Sequence, residues 1–226
     1  MKGASEMFHY EYVTRKEAAP YRAEIEAIIH EVQDVLREAD LFTFQYSFIG
    51  SSARNMITYD PTTNTGFDFD INVEPNDDDC DYSPKELKAE LMNAINKVAP
   101  RYGFRPCENS TRVITVKKLN RYTGAIEHSF DIAIVNNYLG RNGEKHQQFV
   151  KFRKNTGDYL WQEQPKGYDL EPKIEWIKSQ EGNLWDDVFD LYLDKKNNNN
   201  NPNKKSRALY AETINEICQK NGYYSE

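Results

Sequence analysis

Residues 67–73 of this chain read FDFDINV, and few short stretches restrict a fold so tightly. Phe67, Phe69, Ile71 and Val73 alternate with Asp68, Asp70 and Asn72. Side chains two apart in a strand share a face, so the alternation predicts a strand over 67–74. One of its faces is apolar and has to be buried. The other carries two carboxylates, roughly 6–7 Å apart at the rise of a strand. Any fold for this chain must cover one side of the segment and leave the other open to water or a cation.

The flanking segments supply the cover. Ile25, Ile28, Ile29, Val32, Val35, Leu36 and Ala39 recur at helical spacing, with Pro20 near the first turn, which predicts an amphipathic helix over 20–40. FTFQYSFI at 42–49 reads as an aromatic-rich strand. Ser83-Pro84-Lys85-Glu86 combines a capping box with proline at the first helical position, and opens a helix running to about Val98. Residues 111–119 and 128–135 read as two strands of a hairpin with a long connection. A second hairpin over 147–163 turns around Asn155-Thr156-Gly157. From about residue 170 the spacing becomes helical, with Trp185, Val188, Phe189 and Tyr192, then Tyr210, Ile214, Ile217 and Cys218. Between them KKNNNNNPNKK, residues 195–205, has no apolar anchor and is expected to be a flexible loop. The order predicts an α+β domain over 1–165 and a helical C-terminal region over 166–226.

HSFDIAIV at 128–135 repeats the opening pattern. Phe130, Ile132 and Ile134 share one face; Ser129, Asp131, Ala133 and Val135 share the other. If this strand neighbours 67–74, Asp131 joins Asp68 and Asp70. Three carboxylates so close raise one another's pKa unless something compensates. Mg²⁺ compensates well, because it prefers oxygen ligands and shares them with substrate phosphates. That chemistry points to phosphoryl or nucleotidyl transfer with two metal ions. The small Gly50-Ser51-Ser52 turn suits a phosphate cradle, since backbone N–H groups can approach closely there. Arg54, just beyond the turn, and Lys117, on the strand before Asp131, are further candidate nucleotide contacts. Alternation places Lys118 on the face opposite Lys117.

Taken in order, FIGSS at 48–52, FDFDINV at 67–73 and SFDIAIV at 129–135 resemble the DNA polymerase β-like nucleotidyltransferase superfamily, over about residues 20–136. The resemblance implies a short mixed β-sheet flanked by helices. It implies that Asp68 and Asp70 bind both Mg²⁺ ions, with Mn²⁺ as a substitute. Asp131 would complete the catalytic metal site and help to activate an acceptor hydroxyl, and Gly50 and Ser51 would hold the triphosphate. One departure stands out: sixteen residues separate Ser51 from Asp68, more than is usual in the superfamily. The excess around TYDPTTNT, residues 58–65, reads as a turn-rich insertion.

Composition narrows the function further. The net charge is −7, which disfavours a long nucleic acid as acceptor, because phosphate neutralisation needs clustered Lys and Arg. The expected partners are an NTP and a small-molecule or protein acceptor. No apolar run approaches the ~20 residues that span a bilayer, and the N-terminal segment lacks the apolar core of a secretory signal. Cys80, Cys107 and Cys218 form no paired motif, so a cytoplasmic location is expected. The acidic run at 74–81 reads as a solvated loop rather than a calcium site, and His128 as structural. The leading expectation is a Mg²⁺-dependent nucleotidyltransferase that moves an NMP from an NTP to a hydroxyl and releases pyrophosphate. The alternative is a non-catalytic nucleotide- or partner-binding module of the same fold, such as a toxin–antitoxin component. A glycosyltransferase also uses an Asp-x-Asp motif, but neither the early Gly-Ser turn nor the third Asp belongs to it.

Overall fold

A computed structural model describes residues 9–62, 66–77, 80–165, 170–201 and 203–223. Residues 63–65 of the expected insertion, 78–79 of the acidic loop and 202 of the Asn-rich segment lie outside the described residues. In chain order the elements are β1 (Glu11–Tyr12), α1 (Arg15–Glu38), β2 (Thr43–Ile49), α2 (Gly50–Ala53), β3 (Thr58–Tyr59), β4 (Phe67–Asn76), α3 (Pro84–Val98), a 3-10 turn (Ala99–Tyr102), β5 (Glu108–Asn109), β6 (Ile114–Leu119), β7 (Ile126–Leu139), β8 (Lys145–Arg153), β9 (Asp158–Glu163), α4 (Glu171–Ser179), α5 (Leu184–Asn197) and α6 (Ser206–Lys220). They fall into two compact units, one of residues 13–57 and 64–165, the other of residues 1–12, 58–63 and 166–226.

In the larger unit, α1 starts five residues ahead of Pro20. The Thr14 hydroxyl accepts from the Glu17 amide at 3.2 Å, and the Glu17 carboxylate accepts from the Thr14 amide at 2.8 Å. This capping box satisfies two end donors and fixes the start, leaving Pro20 inside the helix. At α3 the Ser83–Glu86 box forms where the sequence predicts it. The sheet runs β2-β4-β7-β6-β5. It is mixed: β4 and β7 are parallel, and the other pairs are antiparallel.

Phe69, Ile71 and Val73 of β4, Phe130, Ile132 and Ile134 of β7, and Ile114 and Val116 of β6 are all buried. So are Ile25, Ile28, Ile29, Val32 and Leu36 of α1 and Leu87, Leu91, Ile95 and Val98 of α3. Each such burial contributes about 1.5–3 kcal/mol, so the apolar face alone accounts for the strands' place in the core. β7 continues to Leu139, four residues beyond the predicted end. Its first half pairs with β4 and β6, and from Val135 onward it pairs with β8. β8 and β9 close the expected second hairpin, with Arg153 opposite Asp158.

In the smaller unit, β1 and β3 form a two-stranded ladder, Glu11 opposite Tyr59 and Tyr12 opposite Thr58. The insertion after the Gly-Ser turn thus supplies a strand. Val188 and Tyr192 of α5 and Tyr210, Ile214 and Ile217 of α6 are buried. The Tyr12 hydroxyl donates to the Phe189 carbonyl at 2.7 Å. α5 runs on through Asn197, so the first three residues of the predicted loop are helical. Lys196 Nζ donates to Thr58 Oγ1 at 2.5 Å, and the Asn197 amide meets both backbone groups of Tyr10. Asn199 Nδ2 donates to the Lys204 carbonyl at 3.1 Å. Side-chain amides that bond backbone groups give this polar run anchors its lack of apolar residues does not suggest. Among the described residues, no helix is long and apolar enough to cross a membrane.

Candidate active site

The register of β4 and β7 decides which carboxylates meet. Asp70 is directly opposite Asp131, and Asp68 is opposite Ser129. Residues opposite one another on neighbouring strands point to the same face. Asp68, Asp70 and Asp131 therefore share the face away from α1 and α3. Two rows cross the sheet. One runs Ile49, Asp70, Asp131, Thr115; the next runs Asp68, Ser129, Lys117. The Ser129 hydroxyl donates to the Asp68 carboxylate. Asp68 is exposed, while Asp70 and Asp131 are half-buried.

Burial raises the pKa of Asp70, the neighbouring Asp131 charge raises it further, and the Arg54 guanidinium works against both. Burial likewise raises Asp131, opposed by a hydrogen bond from Thr115 and by the Lys117 charge, while Glu108 pushes it up again. Each group would release its proton more readily if a cation sat beside it.

The Gly-Ser turn follows β2 directly and is a single turn of helix, α2. Gly50 has φ +63°, and a Cβ there would lie 2.5 Å from Asp70 Oδ2. The turn is thus pressed against the carboxylate, as close as a backbone without a side chain permits. Ser51 is half-buried. Ser52 is buried and its hydroxyl donates to the Ile49 carbonyl at 2.8 Å, closing the turn from within. Lys117 Nζ lies 2.9 Å from both oxygens of Glu108.

Thr115, Ser129 and Glu108 are polar neighbours of the carboxylates that sequence reasoning misses. Alternation in ITVKKL and HSFDIAIV already sorts Thr115 and Ser129 onto faces, while Glu108 lies on a separate short strand. Only the cross-strand register shows which carboxylate each one meets. His128 lies on the opposite face, fully buried, with Nε2 3.1 Å from Glu24 Oε2 and its ring against Tyr21 and Phe104.

The donor set suits a hard divalent ion: three carboxylates on one face, two of them with proton affinities raised by burial. Among the described residues, no three His, Cys, Asp or Glu side chains already stand grouped at ion-holding distance. An ion would therefore have to draw the carboxylates together.

The chain has the polymerase β-like nucleotidyltransferase fold, a central mixed sheet with helices on it. The solved structures that share this fold include three nucleotide-handling proteins. Vibrio cholerae DncV, in a form with 3′-deoxy ATP bound, superposes with a TM-score of 0.61 at 13% identity over 95% of this chain. The STING-associated CdnE c-di-GMP synthase from Capnocytophaga granulosa gives 0.58 at 16% identity over 96%. The Bradyrhizobium diazoefficiens CD-NTase CdnG, in complex with GTP, gives 0.50 at 17% identity over 72%. This chain spans 69%, 64% and 42% of the lengths of those three proteins, respectively. No family model and no curated protein matches it.

Proposed function

We propose that this protein is a Mg²⁺-dependent nucleotidyltransferase that moves an NMP from an NTP to an acceptor hydroxyl and releases pyrophosphate. The observation that carries the reading is the pairing of Asp70 with Asp131 across parallel strands, with Asp68 on the same face and Gly50 against Asp70. A nucleotide hydroxyl is the acceptor we favour, because the CdnE protein that shares the fold is a c-di-GMP synthase.

Asp68, Asp70 and Asp131 are the residues that would hold the metal. When bound, Mg²⁺ supplies Lewis acidity toward the triphosphate and lowers the proton affinity of the attacking hydroxyl. The protein's own groups do the rest. The Gly50-Ser51 backbone offers N–H groups to phosphate oxygens, and Ser52 keeps that turn closed through Ile49. Arg54 and Lys117 add positive charge near Asp70 and Asp131. We assign to Asp131 the uptake of the acceptor hydroxyl's proton, because it shares the face and the strand register of Asp70. The new bond joins the acceptor oxygen to the α-phosphorus, the bond from that phosphorus to the bridging oxygen breaks, and pyrophosphate carries away the electron pair.

The test is incubation with Mg²⁺ and each α-labelled NTP, with and without cell extract, following label and pyrophosphate together. Wild type should transfer label, and the double variant Asp68→Ala/Asp70→Ala should not. Identical traces from the two proteins would sink the reading. Metal-dependent NTP binding with no turnover in any extract would favour a non-catalytic module instead. The engagement of Asp68 by Ser129 is the feature that fits such a module.

A further inference from the structure

Lys117 and Lys118 are adjacent on β6 and point to opposite faces. Lys118 is opposite His128, on the helix side of the sheet. Its Nζ lies 2.6 Å from Glu24 Oε1, and the other Glu24 oxygen meets His128. Lys118 also lines a cleft of about 1150 Å³, formed by α1, the 3-10 turn and the β6–β7 connection. That volume exceeds the ~300–1,000 Å³ common for small-ligand sites, and nothing in the nucleotidyl-transfer reading uses it.

The cleft is locally basic in a chain of net charge −7. Arg101, Arg105, Lys118 and Arg121 line it, against Glu24 and Glu127. Arg101 is engaged by Glu31 at 2.6 Å and Lys118 by Glu24. Arg105 and Arg121 make no ion pair among the described residues. Unpaired guanidinium groups are forks suited to phosphate oxygens. Beside them Tyr122 is 90% exposed. It sits on an ordered turn, because Asn120 Oδ1 accepts from the Tyr122 amide at 3.0 Å and from the Thr123 amide at 3.1 Å. An open aromatic ring on a fixed turn is a stacking platform for a base. An acidic peptide would employ the arginines but would leave Tyr122 without a role.

We infer that this cleft is a second ligand site that takes a phosphorylated nucleoside, on the opposite face of the sheet from the carboxylates. Arg105 and Arg121 bind its phosphates and Tyr122 stacks on its base. The inference does not depend on catalysis at the carboxylates.

Fluorescence anisotropy with a labelled hexauridylate, and with a labelled GTP, tests it in EDTA, where metal-supported binding is absent. Both wild type and Asp70→Asn/Asp131→Asn should bind a probe with equal affinity. Arg105→Ala/Arg121→Ala should weaken binding at least about tenfold, and Tyr122→Ala by roughly 5- to 100-fold. Tyr122→Phe should bind like wild type, and Arg105→Lys/Arg121→Lys should fall between. Displacement of hexauridylate by free GTP would assign the site to mononucleotides, and displacement by strands alone would assign it to oligonucleotides; either supports the inference. Four results would overturn it: no binding of either probe, unchanged affinity in the folded arginine-to-alanine variant, loss of binding in Asp70→Asn/Asp131→Asn, or equal displacement by hexaglutamate. Absent NTP turnover alongside intact cleft binding would sink the nucleotidyl-transfer reading alone.

Discussion

A methyl group on Gly50 would meet Asp70 Oδ2 at 2.5 Å, on a backbone already at φ +63°. The left-handed conformation alone costs a non-glycine residue about 1–2 kcal/mol. Gly50→Ala is therefore expected to lower the melting temperature by roughly 2–8 °C and to abolish metal-dependent NTP binding; a differential scanning melt and a titration with NTP check both. Asp70 makes the complementary prediction. Burial raises its folded pKa above the unfolded value, so the folded chain holds this proton more tightly. Its contribution to stability is fully present below the ordinary carboxylate range and is lost as pH rises through the raised value. In metal-free buffer, Asp70→Asn should melt higher than wild type near neutral pH, and the gain should vanish at about pH 3, below the ordinary carboxylate pKa. Added Mg²⁺ should raise the wild-type melting temperature and leave the variant where it was. A variant that melts below wild type in EDTA near neutral pH would contradict this reading of the pair. At this scale the three aspartates are legible because alternation sorts them onto one face. Thr115 and Ser129 are not, because their meaning lies in the register between strands.

At the scale of elements, local signals and packing divide the credit. The Ser83–Glu86 capping box is visible in four residues and forms as read. Ser83→Ala should cost about 1 kcal/mol and leave NTP turnover unchanged, a pair of results that chemical denaturation and the turnover assay can check. At α1 two local signals compete. Pro20 suggests a first turn through its fixed φ, while the Thr14–Glu17 box sets the actual start. β7 outruns its apolar pattern because Asn136, Asn137 and Tyr138 pair with β8, where backbone bonds rather than burial hold the strand. Nor does composition reveal the helical end of α5, since Asn197 is fixed by Tyr10, a residue 187 positions away.

For the whole molecule, the boundary near 165 read from sequence separates helical periodicity from strand alternation. Grouping in space adds residues 1–12 and 58–63 to the C-terminal helices, because β1 pairs with β3, Tyr12 of β1 donates to the Phe189 carbonyl of α5, and Lys196 of α5 donates to Thr58 of β3. Residues 58–62 of the turn-rich insertion thus belong to the smaller unit, which periodicity within either segment could not reveal. What remains in the larger unit is the sheet, its two covering helices and the three-carboxylate face. The claim that this face holds a metal-bound triphosphate is tested most directly by calorimetric titration with a non-hydrolysable NTP analogue, with and without Mg²⁺. A Mg²⁺-dependent binding event in wild type, additional to any metal-independent binding and lost in Asp70→Asn and in Asp131→Asn, is the predicted result. No Mg²⁺-dependent event in wild type, or the same Mg²⁺-dependent event in wild type and both variants, would contradict it.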